Sequence, residues 1–345
     1  MLDDLKYIHL KDGQDALGVA QKEWQQLIYD YQLTKPKFDK NQIQNIVFAG
    51  MGGSALGALL CTTWPGINVP FEICRNYDIP EYVNENTLFI ASSYSGNTEE
   101  TLEALSKAEQ KKAKIIVIAS GGRLVEIAEQ KGYPLARLPK VSQPRYATFF
   151  SFKAIVDWLV VLGLATPKAL DELKNTAEFV KQQSAGWAPD VAVKQNQAKQ
   201  IALELIGRSV VVYGGPKMFP AAYKWKININ ENAKNVAWAS QYPEFSHNEF
   251  IGWTSHPQDK PYAIVDLRSS LEHSQVQKRF EITERMLSGR RPSPIVVDIA
   301  GKNVLQQLIW AVMLGDFVSL YMALLNGLNP TPVDIIEKMK AELSK

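Results

Sequence analysis

The sequence predicts a doubly wound α/β protein in which one unit, a parallel sheet flanked by helices, is used twice. Three observations predict it. Short apolar, β-branched runs alternate with helical stretches along most of the chain. The runs return in matching order: Ile46-Val-Phe-Ala-Gly50 resembles Val210-Val-Val-Tyr-Gly214, and Lys114-Ile-Ile-Val-Ile-Ala119 resembles Pro294-Ile-Val-Val-Asp-Ile299. Each half also closes on a long apolar helix. At roughly 100–200 residues per domain, 345 residues make two such units.

Taken in order, residues 46–49, 88–91 and 115–119 read as buried strands, with a short strand at 135–138 and a helix over 148–162. A segment rich in Lys, Gln, Asp and Asn follows at 166–199. The strand pattern resumes at 209–213, 263–267 and 295–299 and ends in an apolar helix over 304–325. The expected division is therefore residues 1–165, a helical linker 166–199, and residues 200–345. A cleft between two such units is a natural place for a small-molecule site.

Composition removes several function classes. Hydrophobic residues make up 46% and charged residues 21%, which is too apolar for disorder. Thirty-eight Lys and Arg against 36 Asp and Glu give a net charge of +2, and no dense basic run occurs, so nucleic acid is not an expected partner. Cys61 and Cys74 form no disulfide framework. His9, His247, His256 and His273 have no metal-ligand spacing, so no metal is expected; His256 and His273 read as surface residues. Residues 1–10 lack a signal-peptide core. The membrane-like stretch 308–325 has Asp316 at its middle, which favours a buried helix over a membrane span. A cytoplasmic protein is expected.

Two loops carry the chemistry. Gly50-Met-Gly52-Gly53-Ser54-Ala55-Leu-Gly57 follows a strand and opens a helix, where glycines and free N–H groups suit an anion. Alone it also fits the dinucleotide pattern G-x-G-x-x-A, with Glu72 as the ribose acid. The second loop, Ser92-Ser93-Tyr94-Ser95-Gly96-Asn97-Thr98-Glu99-Glu100-Thr101, decides against a nucleotide. Several hydroxyls and backbone donors around one glycine match a phosphomonoester. Helix capping by Ser95 or Asn97 is the plainer alternative, but it asks for one hydroxyl rather than four. Gly52, Gly53, Ser54, Ser93, Ser95 and Thr98 are the expected phosphate ligands.

These two loops together resemble the sugar isomerase (SIS) domain, a flavodoxin-like fold that binds phosphosugars. Asn230-Glu231-Asn232-Ala233-Lys234, Pro243-Glu244-Phe-Ser-His247-Asn248-Glu249 and Asn329-Pro-Thr331-Pro332-Val333 narrow the resemblance to the bifunctional phosphoglucose/phosphomannose isomerases. It runs from about residue 40 to the C-terminus. It implies two SIS domains, a small phosphosugar substrate, no cofactor, and a homodimer in which His247 is shared across the interface. Interconverting an aldose and a ketose moves a proton between C1 and C2 through a cis-enediol, which one base above both carbons can do.

The resemblance makes Glu231 that base, with Glu244 and Glu249 as alternative carboxylates, and Arg145 the guanidinium facing the enediolate charge. The resemblance also implies that His247 and a C-terminal lysine open the sugar ring. Lys338 and Lys340 both qualify, but two residues apart on a helix only one can face a cleft; the resemblance, in which the lysine follows the Thr331 position by two helical turns, favours Lys338. Thr331 stands where relatives restricted to glucose 6-phosphate carry glutamine, which implies that mannose 6-phosphate is accepted too. The second half's Gly214-Gly-Pro216-Lys-Met loop lacks the hydroxyls, so one phosphate site per chain is expected, with Arg268-Ser269-Ser270 as the remaining possibility. The competing reading is a non-catalytic SIS sensor of phosphosugars. An amidotransferase subunit would need an N-terminal nucleophilic cysteine, and this sequence starts Met1-Leu2-Asp3.

Overall fold

The computed structural model describes residues 1–34, 36–255 and 260–343. In chain order the elements are α1 (Leu5–Lys11), α2 (Ala16–Lys22), β1 (Asn45–Ala49), α3 (Leu56–Cys61), β2 (Phe71–Cys74), β3 (Thr87–Ser93), α4 (Glu99–Gln110), β4 (Lys114–Ala119), α5 (Gly122–Lys131), β5 (Leu135–Arg137), α6 (Thr148–Val161) and α7 (Lys168–Ser184). There follow α8 (Gln197–Leu205), β6 (Ser209–Gly214), α9 (Phe219–Glu231), β7 (Ala237–Gln241), α10 (Glu249–Gly252), β8 (Tyr262–Arg268), α11 (Ser274–Met286), β9 (Ile295–Asp298), α12 (Val304–Leu325) and α13 (Asp334–Leu343).

The first sheet has the order β2-β1-β3-β4-β5, the flavodoxin-like order 2-1-3-4-5. The second, β7-β6-β8-β9, repeats it one strand shorter, so β6 and β8 are the counterparts of β1 and β3. Every pairing is parallel. In the first sheet Val47, Phe89 and Val117 face a core completed by Leu105 of α4 and Leu124 of α5. Their neighbours Ile46, Leu88 and Ile116 are equally buried on the opposite face. A strand apolar on both faces is what a parallel sheet covered on both sides demands.

Two strands, β2 and β7, fall outside the expected set. Both are edge strands whose sequences are broken by polar residues, Glu72 in β2 and Ser240 and Gln241 in β7, so neither gives a continuous apolar run. The division of the chain also differs from the expected one. One unit comprises residues 22–179, and the other joins residues 1–21 to 180–345. Residues 1–21 belong with the second unit because Tyr7 Oη donates to Leu324 O (2.7 Å), Asn329 Nδ2 donates to Gln14 Oε1 (2.8 Å) and Val193 N donates to Asp3 (2.8 Å). The stretch expected as a linker contains the 17-residue α7, whose Leu173, Ala177 and Val180 are buried.

Helix α12 is long and apolar enough to cross a membrane, yet 94% of its most apolar window is buried inside the structure. It is the core helix of the second unit. Gly315 lets it approach α9 closely, since a Cβ there would lie 2.3 Å from the Trp225 ring, and Trp225 Nε1 donates to Ala311 O (2.7 Å).

Candidate functional site

The two sequence loops meet at the carboxyl edge of the first sheet, where open α/β sheets hold their ligands. The first follows β1 and winds as a single 3₁₀ turn, Gly52–Ala55. The second follows β3, and Ser54 Oγ joins the two by accepting a bond from Tyr94 N (2.9 Å). Ser93 Oγ lies 2.7 Å from Thr98 Oγ1 and 3.4 Å from Ser95 Oγ, and it accepts from Gly96 N (3.1 Å). Thr98 is the N-cap residue of α4, but its side chain makes no capping bond. The hydroxyls thus cluster with one another instead of capping the helix, which is what separates an anion cradle from an ordinary N-terminus.

Two glycines are required by contact rather than by composition. A Cβ on Gly96, whose φ is +74°, would lie 1.8 Å from Gly121 O. One on Gly53 would lie 2.9 Å from Arg145 N, so the 3₁₀ turn Pro144–Ala147 is seated directly on the first loop. That contact brings Arg145 to the same edge as the phosphate loops. Its side chain is 1% exposed, with the guanidinium carbon 4.7 Å from the Tyr146 ring centre. A buried, stacked guanidinium is held in one orientation in a water-poor setting.

Tyr94 was not singled out by the sequence. Its backbone N–H holds Ser54, while its phenol donates toward Pro139 O (3.2 Å) and Val141 O (3.0 Å) and accepts from Val141 N. It therefore links the hydroxyl loop to the segment leading into Arg145. Asn97 was also missed as a positioning residue: its Oδ1 accepts from Arg123 N (3.0 Å) and pins the loop to α5.

The second unit holds the remaining candidates. Glu231 is the half-buried last residue of α9. Three residues on, Lys234 adopts φ +52° and donates from Nζ to Asn232 O (3.2 Å), Asn329 O (2.9 Å) and Pro330 O (2.9 Å). The Glu-Asn-Ala-Lys turn is thereby bound to the loop carrying Thr331, itself 4% exposed.

Both lie at the amino edge of the sheet, because α9 and α12 each return there from a strand's carboxyl end. His247 lies at the other edge. It is exposed, in the 3₁₀ turn Glu244–His247 that follows β7, whereas Glu231 precedes β7. At 3.3 Å per residue the five-residue strand separates them by roughly 15 Å. Glu249 is held by Tyr213 Oη (3.2 Å) and Ser240 Oγ, which donate to its carboxylate. Lys338 and Lys340 are both exposed on α13, and Lys340 pairs with Glu337 (2.8 Å). His273 is exposed and caps α11, and His256 lies outside the described residues.

The loop after β6 is the counterpart of the first phosphate loop, and an acid fills it. Glu272 Oε1 accepts from Lys217 N (2.7 Å) and Met218 N (3.3 Å), and a Cβ on Gly215 would collide with its carboxyl group at 2.5 Å. Burial pushes this carboxyl's pKa up, against the pull of the two N–H donors and of Lys217. The loop after β8 is committed as well: Ser269 Oγ donates to Gln307 Oε1 (2.5 Å), and Arg268 pairs with Glu284 (2.7 Å). Among the described residues no group of three or more His, Cys, Asp or Glu side chains is placed to hold a metal ion.

A repeated parallel-sheet unit with a hydroxyl cradle at one carboxyl edge defines a tandem SIS protein. Residues 41–138 match the SIS domain, and residues 194–343 match the bacterial phospho-glucose isomerase C-terminal SIS domain. The chain is 35% identical over 308 residues to the bifunctional phosphoglucose/phosphomannose isomerase of Caldicellulosiruptor bescii, covering 88% of this chain and 90% of that one. It is 33% identical over 310 residues to the Aquifex aeolicus protein of the same name, covering 89% and 92%. A glucose-6-phosphate isomerase like protein from Thermus thermophilus shares the fold, with a TM-score of 0.64, 18% identity and coverage of 95% and 96%. The chain belongs to the bifunctional phosphoglucose/phosphomannose isomerase family.

Proposed function

We propose that the protein interconverts glucose 6-phosphate, mannose 6-phosphate and fructose 6-phosphate by proton transfer through a cis-enediol. The observation that carries the reading is the hydroxyl cradle of Ser93, Ser95 and Thr98, joined to Ser54 and seated beside Arg145. Ser54, Ser93, Ser95 and Thr98, with the backbone of Gly52 and Gly53, hold the phosphate. With β6's glycine loop filled by Glu272, each chain binds one phosphosugar.

Glu231 takes the proton from C2 of the aldose and returns it to C1, so that the carbonyl moves from C1 to C2. Arg145 offsets the enediolate charge that develops between these steps. His247 and Lys338 exchange protons with the ring oxygen and O1 to open the sugar, Lys338 being preferred to Lys340, which makes a surface pair with Glu337. Thr331, bound into the same turn as Glu231, leaves space at C2 for either epimer to form. No step in this scheme runs through a metal or a nucleotide.

The opposite placement of Glu231 and His247 along β7 supports a homodimer in which His247 serves the partner's site. Two buried, unpaired cysteines, Cys61 and Cys74, fit a reducing, cytoplasmic setting. A coupled assay for fructose 6-phosphate, run separately from each aldose phosphate, tests the reading. Turnover on both supports it. Binding of phosphosugar without turnover on either replaces it with the sensor.

A further inference from the structure

Besides the Trp225–Ala311 bond, a ladder of polar side chains crosses the largely apolar interface of α9 with α12. Lys224 and Asn228 of α9 and Asn232, which caps it, recur every four residues and so share one face. On α12, Asp316 and Ser319 receive them. Lys224 Nζ and Asn228 Nδ2 both donate to Asp316 Oδ1, and Lys224 Nζ also reaches Asn228 Oδ1 (3.4 Å). On the next rung Asn232 Nδ2 donates to Ser319 Oγ (2.9 Å), which itself donates to Asp316 O (2.8 Å). Lys224 is 1% exposed and Asp316 3%.

Stability alone does not account for this pair. Desolvating two charges is unfavourable, and apolar side chains of similar volume are often as stable or more so. An apolar seam, however, tolerates several registers, whereas a buried charge pair has one. Slipping α9 by one turn would move Glu231 by about 5.4 Å, and a misplacement of about 1 Å can already cost roughly a hundredfold in rate. Asn232 also adjoins Glu231 directly.

We propose that Asp316 and Lys224 are positioning residues, whose buried pair fixes the register of α9 on α12 and with it the place of Glu231. The proposal rests on Glu231 as the base. The test is the Lys224→Met/Asp316→Leu double variant of the full chain, assayed with glucose 6-phosphate. The expected result is a thermal midpoint at or above the parent's, a KM within about twofold, a kcat lowered roughly tenfold or more, and faster amide exchange over residues 228–233.

A folded double variant with the parent's kcat overturns the proposal. If that variant does not fold, Asn228→Leu decides: a lowered kcat at unchanged KM upholds the proposal and a parental kcat overturns it. Glu231→Gln is measured in parallel. If it retains turnover, the base assignment fails by itself, and exchange over 228–233 in the double variant then judges the register: faster exchange upholds it, unchanged exchange overturns it.

Discussion

Ser93 sits at the centre of the cradle, within reach of Thr98, Ser95 and the Gly96 N–H. A hydroxyl donating to a phosphate makes a charge-assisted bond of about 1.5–3 kcal/mol. Steady-state kinetics of Ser93→Ala should therefore show KM for glucose 6-phosphate raised roughly tenfold or more, with a smaller effect on kcat. Thr331 is predicted to govern the choice between epimers. Thr331→Gln should lose turnover of mannose 6-phosphate by roughly tenfold or more while keeping most of that of glucose 6-phosphate, read as the ratio of the two kcat/KM values. The candidate residues themselves were legible in the sequence, because motif spacing reports which chemistries lie close along the chain. Tyr94 and Asn97 were not legible: each acts through a partner more than 20 residues away, Tyr94 on Val141 and Asn97 on Arg123, and no local pattern encodes those contacts.

At the scale of elements, the apolar, β-branched runs announced themselves, and β2 and β7, broken by Glu72 and by Ser240 and Gln241, did not. The ends of β7 carry much of the functional argument, so the missing strand hid the separation of Glu231 from His247. The carboxylate in the β6 loop was equally hidden, since Glu272 arrives from beyond β8. Strand β8 supplies a prediction about pH. Burial lifts the Asp266 carboxyl to about 6, although Arg291 and Arg268 pull it down. The folded protein thus holds this proton more tightly than the unfolded chain, so the resulting stability is present in acid and is lost as pH rises through about 6. Asp266→Asn should flatten the fall in thermal midpoint between about pH 4 and about pH 6, and should raise the midpoint by several degrees above that range. An unchanged pH slope would contradict this.

For the whole molecule, the repeat of one sheet order identified the architecture from sequence alone, but the grouping of residues 1–21 with the second compact unit did not follow from composition. Residues 1–21 bury Leu2, Ile8 and Leu17 and make hydrogen bonds to residues some 190 to 320 positions away, contacts that no local pattern reports. Sharing of His247 between chains makes a quantitative prediction. Glu231→Gln and His247→Ala proteins, each inactive alone, should recover about a quarter of parental activity when unfolded together and refolded as mixed dimers; no recovery would place both residues in one chain's site. The most direct test of the account is isomerisation of fructose 6-phosphate in deuterium oxide, followed by NMR at C1 and C2. The account predicts deuterium at C2 of both glucose 6-phosphate and mannose 6-phosphate, and none from Glu231→Gln. Turnover with deuterium uptake that persists in Glu231→Gln would contradict it.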